Sequence, residues 1–102
     1  MRSTRFKDLV SKNPDNEMFR FSLAQALFNE EDFSGSLPHF QKCIEKKPEW
    51  MMATILLGKA HLNLQNRKEA LPLLKKALTL AIEQDHEEPE SELKGILSDL
   101  GV

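Results

Sequence analysis

Apolar residues recur along most of this chain at spacings of three and four, which places them on one face of an α-helix. The pattern predicts six helices separated by short polar or proline-containing segments. Their expected bounds are residues 4–12, 15–29, 34–46, 49–64, 68–84 and 89–100. Leu, Ala, Lys and Glu are plentiful, whereas valine occurs only at positions 10 and 102. Because the plentiful residues are good helix formers, the composition also favours an all-α fold.

Capping residues and prolines set the expected helix ends. Asp15 or Asn16 can accept backbone N–H bonds at the start of the second helix. Pro48 closes the third helix, but Ile82, rather than a proline, stands at the corresponding place of the fifth. The fifth helix can therefore run on for an extra turn. Pro89 suits the first position of the last helix, since its missing N–H has no intrahelical partner there.

The chain matches itself when it is shifted along its length so that Pro14 falls on Pro48. The matching pairs are Phe6 and Phe40, Met18 and Met52, Leu23 and Leu57, Ala26 and Ala60, Asn29 and Asn63, Leu37 and Leu71, Pro38 and Pro72, and Lys42 and Lys76. Such a match indicates a copied and stacked supersecondary unit. We expect one domain over residues 1–102, with repeat 1 at 15–48 and repeat 2 at 49–84. A half-unit helix at 4–12 and a capping helix at 89–100 flank them.

Large and small residues alternate at fixed places within each unit. The first helices carry large–small pairs, Leu23-Ala24 and Leu57-Gly58, and the second helices carry the series Ser36, Phe40, Cys43 and Ala70, Leu74, Ala77. With a period of about 34 residues, this pattern resembles the tetratricopeptide repeat (TPR). Leu27 and His61 depart from the usual tyrosine, and Ile82 departs from the usual proline. The resemblance implies a right-handed α-α superhelix of helix hairpins that serves as a non-catalytic adaptor or scaffold for protein binding.

The resemblance also implies that the first helix of each unit lines a concave surface. Ten residues are expected there as a partner-binding groove: Met18, Phe21, Gln25, Phe28, Asn29, Met52, Ile55, Lys59, Leu62 and Asn63. This face is mainly apolar, and methionines adapt to a partner's shape. The expected occupant is a peptide or an amphipathic helix. Two alternatives stay open: a terminal helix covers the face, or the chain is a structural subunit that pairs with a second copy, as a homodimer or larger assembly, through the groove or its terminal edges.

Charge and cysteine content narrow the function classes. The formal net charge is −2, so no basic field points to nucleic acid as a partner. Cys43 is the only cysteine, which excludes an intrachain disulfide. No secretory signal or membrane-spanning segment is expected, so we expect a cytoplasmic protein without a membrane partner.

Reactive residues do not form a recognisable catalytic or cofactor motif. His39 and Cys43 are four residues apart, a spacing compatible with metal ligation. Cys43 matches the small residue Ala77, however, so a buried thiol is the preferred interpretation. His61 is expected to be semi-buried, and His86 lies among acidic residues in a loop. We therefore predict no catalytic residues, no metal site, no cofactor and no enzymatic activity.

Overall fold

The structure, a computed structural model that describes all 102 residues, consists of six α-helices. They are α1 (Arg2–Lys12), α2 (Glu17–Asn29), α3 (Phe33–Lys46), α4 (Met51–Asn63), α5 (Arg67–Glu83) and α6 (Glu87–Asp99). The all-α prediction is confirmed. No helix end differs from its expected bound by more than two residues, and α6 begins two residues before Pro89. Pro89 therefore lies within the first turn, where the N–H groups still have no intrahelical partner.

Three interhelix turns share one geometry. The second residue after the last residue of α2, α4 and α5 has a positive φ: Glu31 at 64°, Gln65 at 62° and Asp85 at 57°. The next residue's N–H donates to a carbonyl five positions earlier, as from Asp32 to Leu27 at 2.8 Å. This is the Schellman arrangement, which satisfies the last carbonyls of a helix. As a result α5 joins α6 through the same turn that joins the two helices of each repeat.

The helices form a stack of two layers. Each helix packs against the next one along the chain, and α2 also contacts α4. Side chains of α4 and α6 meet in a shared core cluster that contains Ile55, Leu93 and Leu97. By contrast α1, α3 and α5 do not contact one another. One layer is therefore α2, α4 and α6, in which neighbouring helices meet, and the other is α1, α3 and α5, which are spread apart.

Small residues allow the two helices of each repeat to approach closely. Ser36, Phe40 and Cys43 in α3, and Ala70, Leu74 and Ala77 in α5, are all at most 1% exposed. Ala24 in α2 and Gly58 in α4 are buried at the facing places. The large–small alternation read from the sequence is therefore used for packing, and the buried-thiol interpretation of Cys43 is the one that the structure supports.

The length and hydropathy of a helix determine whether it could cross a membrane. None of the six helices is both long enough and apolar enough to cross a bilayer.

Candidate partner-binding groove

The wall formed by α2 combines one exposed apolar side chain with a polar fringe. Met18 is 57% exposed, and Gln25 and Asn29 are also exposed. Phe21 and Phe28 are half-buried. Of the five α2 residues that the sequence assigned to the groove, only Met18, Gln25 and Asn29 are exposed.

The two phenylalanines belong to an aromatic floor. Phe21 stacks on Trp50 with ring centroids 4.8 Å apart and planes 20° apart. Phe21 also meets Phe40 edge-on at 5.9 Å, and Phe28 meets Phe33 edge-on at 5.1 Å. Rings arranged in this way stabilise one another beyond their buried area. Ring contacts hold the floor together, and the phenylalanines support the groove more than they reach into it.

The wall formed by α4 differs from the prediction at Ile55. Its side chain is 2% exposed and packs in the cluster with Leu93 and Leu97 of α6. The expectation that Ile55 offers an open apolar surface is wrong, because α6 lies over it. Leu62 is half-buried against the same cluster, whereas Met52 is 41% exposed and Asn63 is exposed. The alternative in which a terminal helix covers the face thus holds for the α6 side of repeat 2.

A shallow cleft of about 260 Å³ remains between α4 and α6. It is lined by Met52, Ile55, Lys59, Glu88, Pro89 and Glu92. The three residues from α6 were missed from the sequence. The sequence signal that could have found these residues is a shift in the repeat period. Helix α6 begins two positions later than the period predicts, because α5 is longer than α3.

Carboxylates control the electrostatics of this cleft. Lys59 Nζ lies 2.9 Å from Glu92 Oε1, so the one cation of the predicted groove is already paired. Glu88 stands on the same rim without a cation within ion-pair distance. An acidic ligand would meet this negative rim with no free positive charge to offset it. The cleft therefore suits an apolar or basic group.

The reactive side chains lie away from the groove. Arg20 Nη1 and His39 Nδ1 are 3.1 Å apart, and burial, together with the nearby Arg20 charge, lowers the pKa of His39. Burial raises the pKa of the Cys43 thiol to about 11. His61 is half-buried and 3.3 Å from the Asn66 amide, and His86 is exposed beside the start of α6. No three His, Cys, Asp or Glu side chains come together as a metal-binding group.

No protein-family model matches this sequence, and no curated protein matches it significantly. Solved structures do match its fold. A solution structure of a protein from Bordetella parapertussis is 24% identical, with a TM-score of 0.84 over 99% of this chain and 88% of that chain. A crystal structure of a tetratricopeptide repeat domain protein from Salinibacter ruber is also 24% identical, with a TM-score of 0.74 over 86% of this chain and 99% of that chain.

A solution structure of a Salinibacter ruber tetratricopeptide repeat domain protein gives a TM-score of 0.70 at 24% identity, over 81% of this chain and 84% of that chain. The similarity to these structures includes both the helix hairpins and the way in which they stack. The repeat period and the alternation of small and large residues predict both features. The resemblance drawn from the sequence is confirmed for the architecture. The chain has the tetratricopeptide-repeat fold.

Proposed function

We propose that this chain is a non-catalytic interaction module of the cytoplasm that holds an apolar segment of a partner protein against α2 and α4. One observation carries the proposal. Met18 and Met52 occupy matching places in the two repeats, on the α2 and α4 walls of the groove, and both remain 41% or more exposed. Exposed apolar side chains gathered on one concave face mark interaction surfaces, and methionine adapts to different partner shapes.

The surroundings of the two methionines specify the segment. Gln25, Asn29 and Asn63 supply amide groups along the fringe, which can pair with the backbone of an extended peptide or the polar edge of a helix. Glu88 and Glu92 line the cleft beside Met52. A segment with two apolar anchors and a neighbouring basic residue therefore matches this wall best.

The state of the cysteine supports a binding role over a catalytic one. Thiolate is the nucleophilic form of cysteine, and a thiol pKa of about 11 leaves little thiolate at neutral pH. Cys43 is also 1% exposed, so a substrate would have no access to it.

The test uses Trp50, the only tryptophan, which stacks on Phe21 in the floor of the groove. Peptides selected from a displayed random library are titrated into the protein while Trp50 emission is followed. We expect selected peptides rich in apolar and basic residues to shift the emission. The double variant Met18→Glu, Met52→Glu should lose this response and keep its helicity.

Ile82→Glu is the matched control, because Ile82 is 50% exposed but lies on α5, outside the groove. It should bind the selected peptides as the wild type does. If the double variant bound the peptides as tightly as the wild type, Met18 and Met52 would not form the binding surface. The same would follow if Ile82→Glu lost as much binding as the double variant.

A further inference from the structure

Each end of the stack lacks one helix of a complete hairpin. In repeats 1 and 2, the second helix is covered by the first helix of the same unit, so that Phe40 and Leu74 are both 0% exposed. Phe6, at the matching place in α1, is only half-buried, because no such helix lies over α1. At the other end, α6 corresponds to the first helix of a unit, and no second helix covers its outer face.

An open cleft of about 400 Å³ marks the uncovered place beside α1. Its lining includes Arg2 and Phe6 from α1 and Ser22 and Ala26 from α2. Ser22 is only half-buried, whereas Leu56, which matches it one repeat later, is buried; Ala26 and its match Ala60 are both buried. The cleft is therefore shaped to receive a helix of the same kind as α2, α4 and α6.

The same two ends carry opposite charge. Helix α1 contains four basic residues and one acidic residue, whereas α6 contains five acidic residues and one basic residue. Charge of opposite sign on two surfaces steers their association and fixes their relative orientation.

We propose that a second copy of this chain is the occupant: α6 of one copy docks beside α1 of the next, and the two helices form a composite hairpin. The contacts between α2 and α3 in repeat 1 predict which residues of α6 and α1 face each other in the composite hairpin. Glu17 and Lys46 form an ion pair at 3.2 Å, and the matching residues of the composite hairpin are Glu87 and Lys12. In the same way the contact between Arg20 and His39 maps to Glu90 and Arg5, which are again of opposite charge.

Two small, fully buried residues of repeat 1 have no small counterpart in the composite hairpin. The small residues Ala24 and Ser36 are replaced by Lys94 and Arg2 at the matching places. Two long cations hold the helices further apart at this end, and Lys94 is already paired with Glu90 at 2.7 Å. The interface is accordingly weak and dominated by exposed ion pairs, which salt screens. Because the two surfaces differ, copies add head to tail without closing into a dimer.

The test measures weight-average mass by sedimentation on tag-free protein, from micromolar to millimolar concentration. We expect mass to rise with concentration at low ionic strength and to return to the monomer value at high ionic strength. Arg5→Glu and Glu90→Arg should each weaken association by about tenfold, because each reverses one side of a charge pair. Mixing these two variants should restore the mass, since each then offers the charge that the other needs.

Lys76→Glu is the control, because it makes the same reversal on α5, away from both ends. A monomer at every concentration, single variants that associate like the wild type, or a mixture without recovery would each overturn the proposal. Circular dichroism of each variant separates loss of association from loss of folding. The cleft shares Gln25 and Asn29 with the groove. The peptide titration varies Met18 and Met52 and the sedimentation test varies Arg5 and Glu90, so either proposal can fail without the other.

Discussion

Gly58 in α4 and Leu74 in α5 lie so close together that they set the distance between the two helices. A Cβ placed on Gly58 would be 2.8 Å from Leu74 Cδ2, and Leu74 is 0% exposed. The leucine has no free space into which it can turn. We predict that Gly58→Val lowers the free energy of unfolding by about 2–3 kcal/mol through overpacking. Urea denaturation measures the change.

Gly95 in α6 provides the comparison, since a Cβ there meets nothing within 4 Å. Alanine is the better helix former, so Gly95→Ala should raise the free energy of unfolding by about 0.5–1 kcal/mol. If Gly58→Val were as stable as the wild type, the close approach of α4 and α5 would be wrong.

The turn after α4 should accept glycine with a gain in stability. Gln65 has a φ of 62°, a conformation that costs an L-residue free energy and that glycine adopts without strain. Because Gln65 is exposed, the substitution removes little packing. We predict that Gln65→Gly raises the free energy of unfolding by about 0.5–1 kcal/mol. Gln65→Val should lower it, since a β-branched residue is strained there. Thermal unfolding distinguishes the two variants, and a gain on Gln65→Val would contradict the turn geometry.

Ile55 and Met52 should respond in opposite ways to the same substitution. Ile55→Asp places a carboxylate in the cluster with Leu93 and Leu97, and we predict a loss of about 3–5 kcal/mol in the free energy of unfolding. Met52→Asp changes a side chain that is already 41% exposed, so its stability should stay within about 0.5 kcal/mol of the wild type. Both values come from urea denaturation. Comparable stabilities would show that α6 does not cover Ile55.

The contact between α1 and the end of α2 should depend on pH. Ser3 donates from its hydroxyl to Glu30 Oε1 at 2.6 Å and from its N–H to Oε2 at 3.1 Å. These bonds favour the charged carboxylate and lower the pKa of Glu30 below its ordinary value of 4.5. Since the folded pKa is the lower one, the stabilisation is complete above the unfolded pKa and is lost as pH falls through the folded pKa.

Comparing the wild type with Ser3→Ala isolates this effect. The wild type should be the more stable protein at neutral pH, and the difference should shrink as Glu30 becomes protonated in acid. Thermal unfolding at a series of pH values gives the comparison. A stability difference that is the same at all pH values would show that the hydroxyl does not act through the Glu30 carboxylate.

Much of the fold could be predicted because its signals are local. The spacing of Leu23, Leu57 and their neighbours reports helices directly, and the repeat period reports their stacking. Asn16 caps α2 as its type and position indicated, with Oδ1 accepting from the Phe19 N–H at 3.0 Å. The small residues Ala24 and Gly58 showed where helices approach closely.

The burial of Ile55 could not be predicted from the same pattern. It depends on where α6 lies, and that in turn depends on the length of α5 and on the turn at Asp85. Asp85 adopts a positive φ although it is not a glycine, so the sequence carries no clear mark of the turn. The stack of Phe21 on Trp50 is likewise a tertiary contact between two repeats, beyond the reach of helical periodicity.

Helix α4 lies at the centre of the stack, and eight of its 13 residues are buried. Helix α1 packs only against α2, and α6 packs against α5 and the Ile55 side of α4, so either end helix can detach while most of α4 stays covered. Deuterium should therefore replace amide hydrogens first in the two outer helices and last in α4. Proteases that act on transiently opened segments should follow the same order, trimming the molecule from both ends towards its middle.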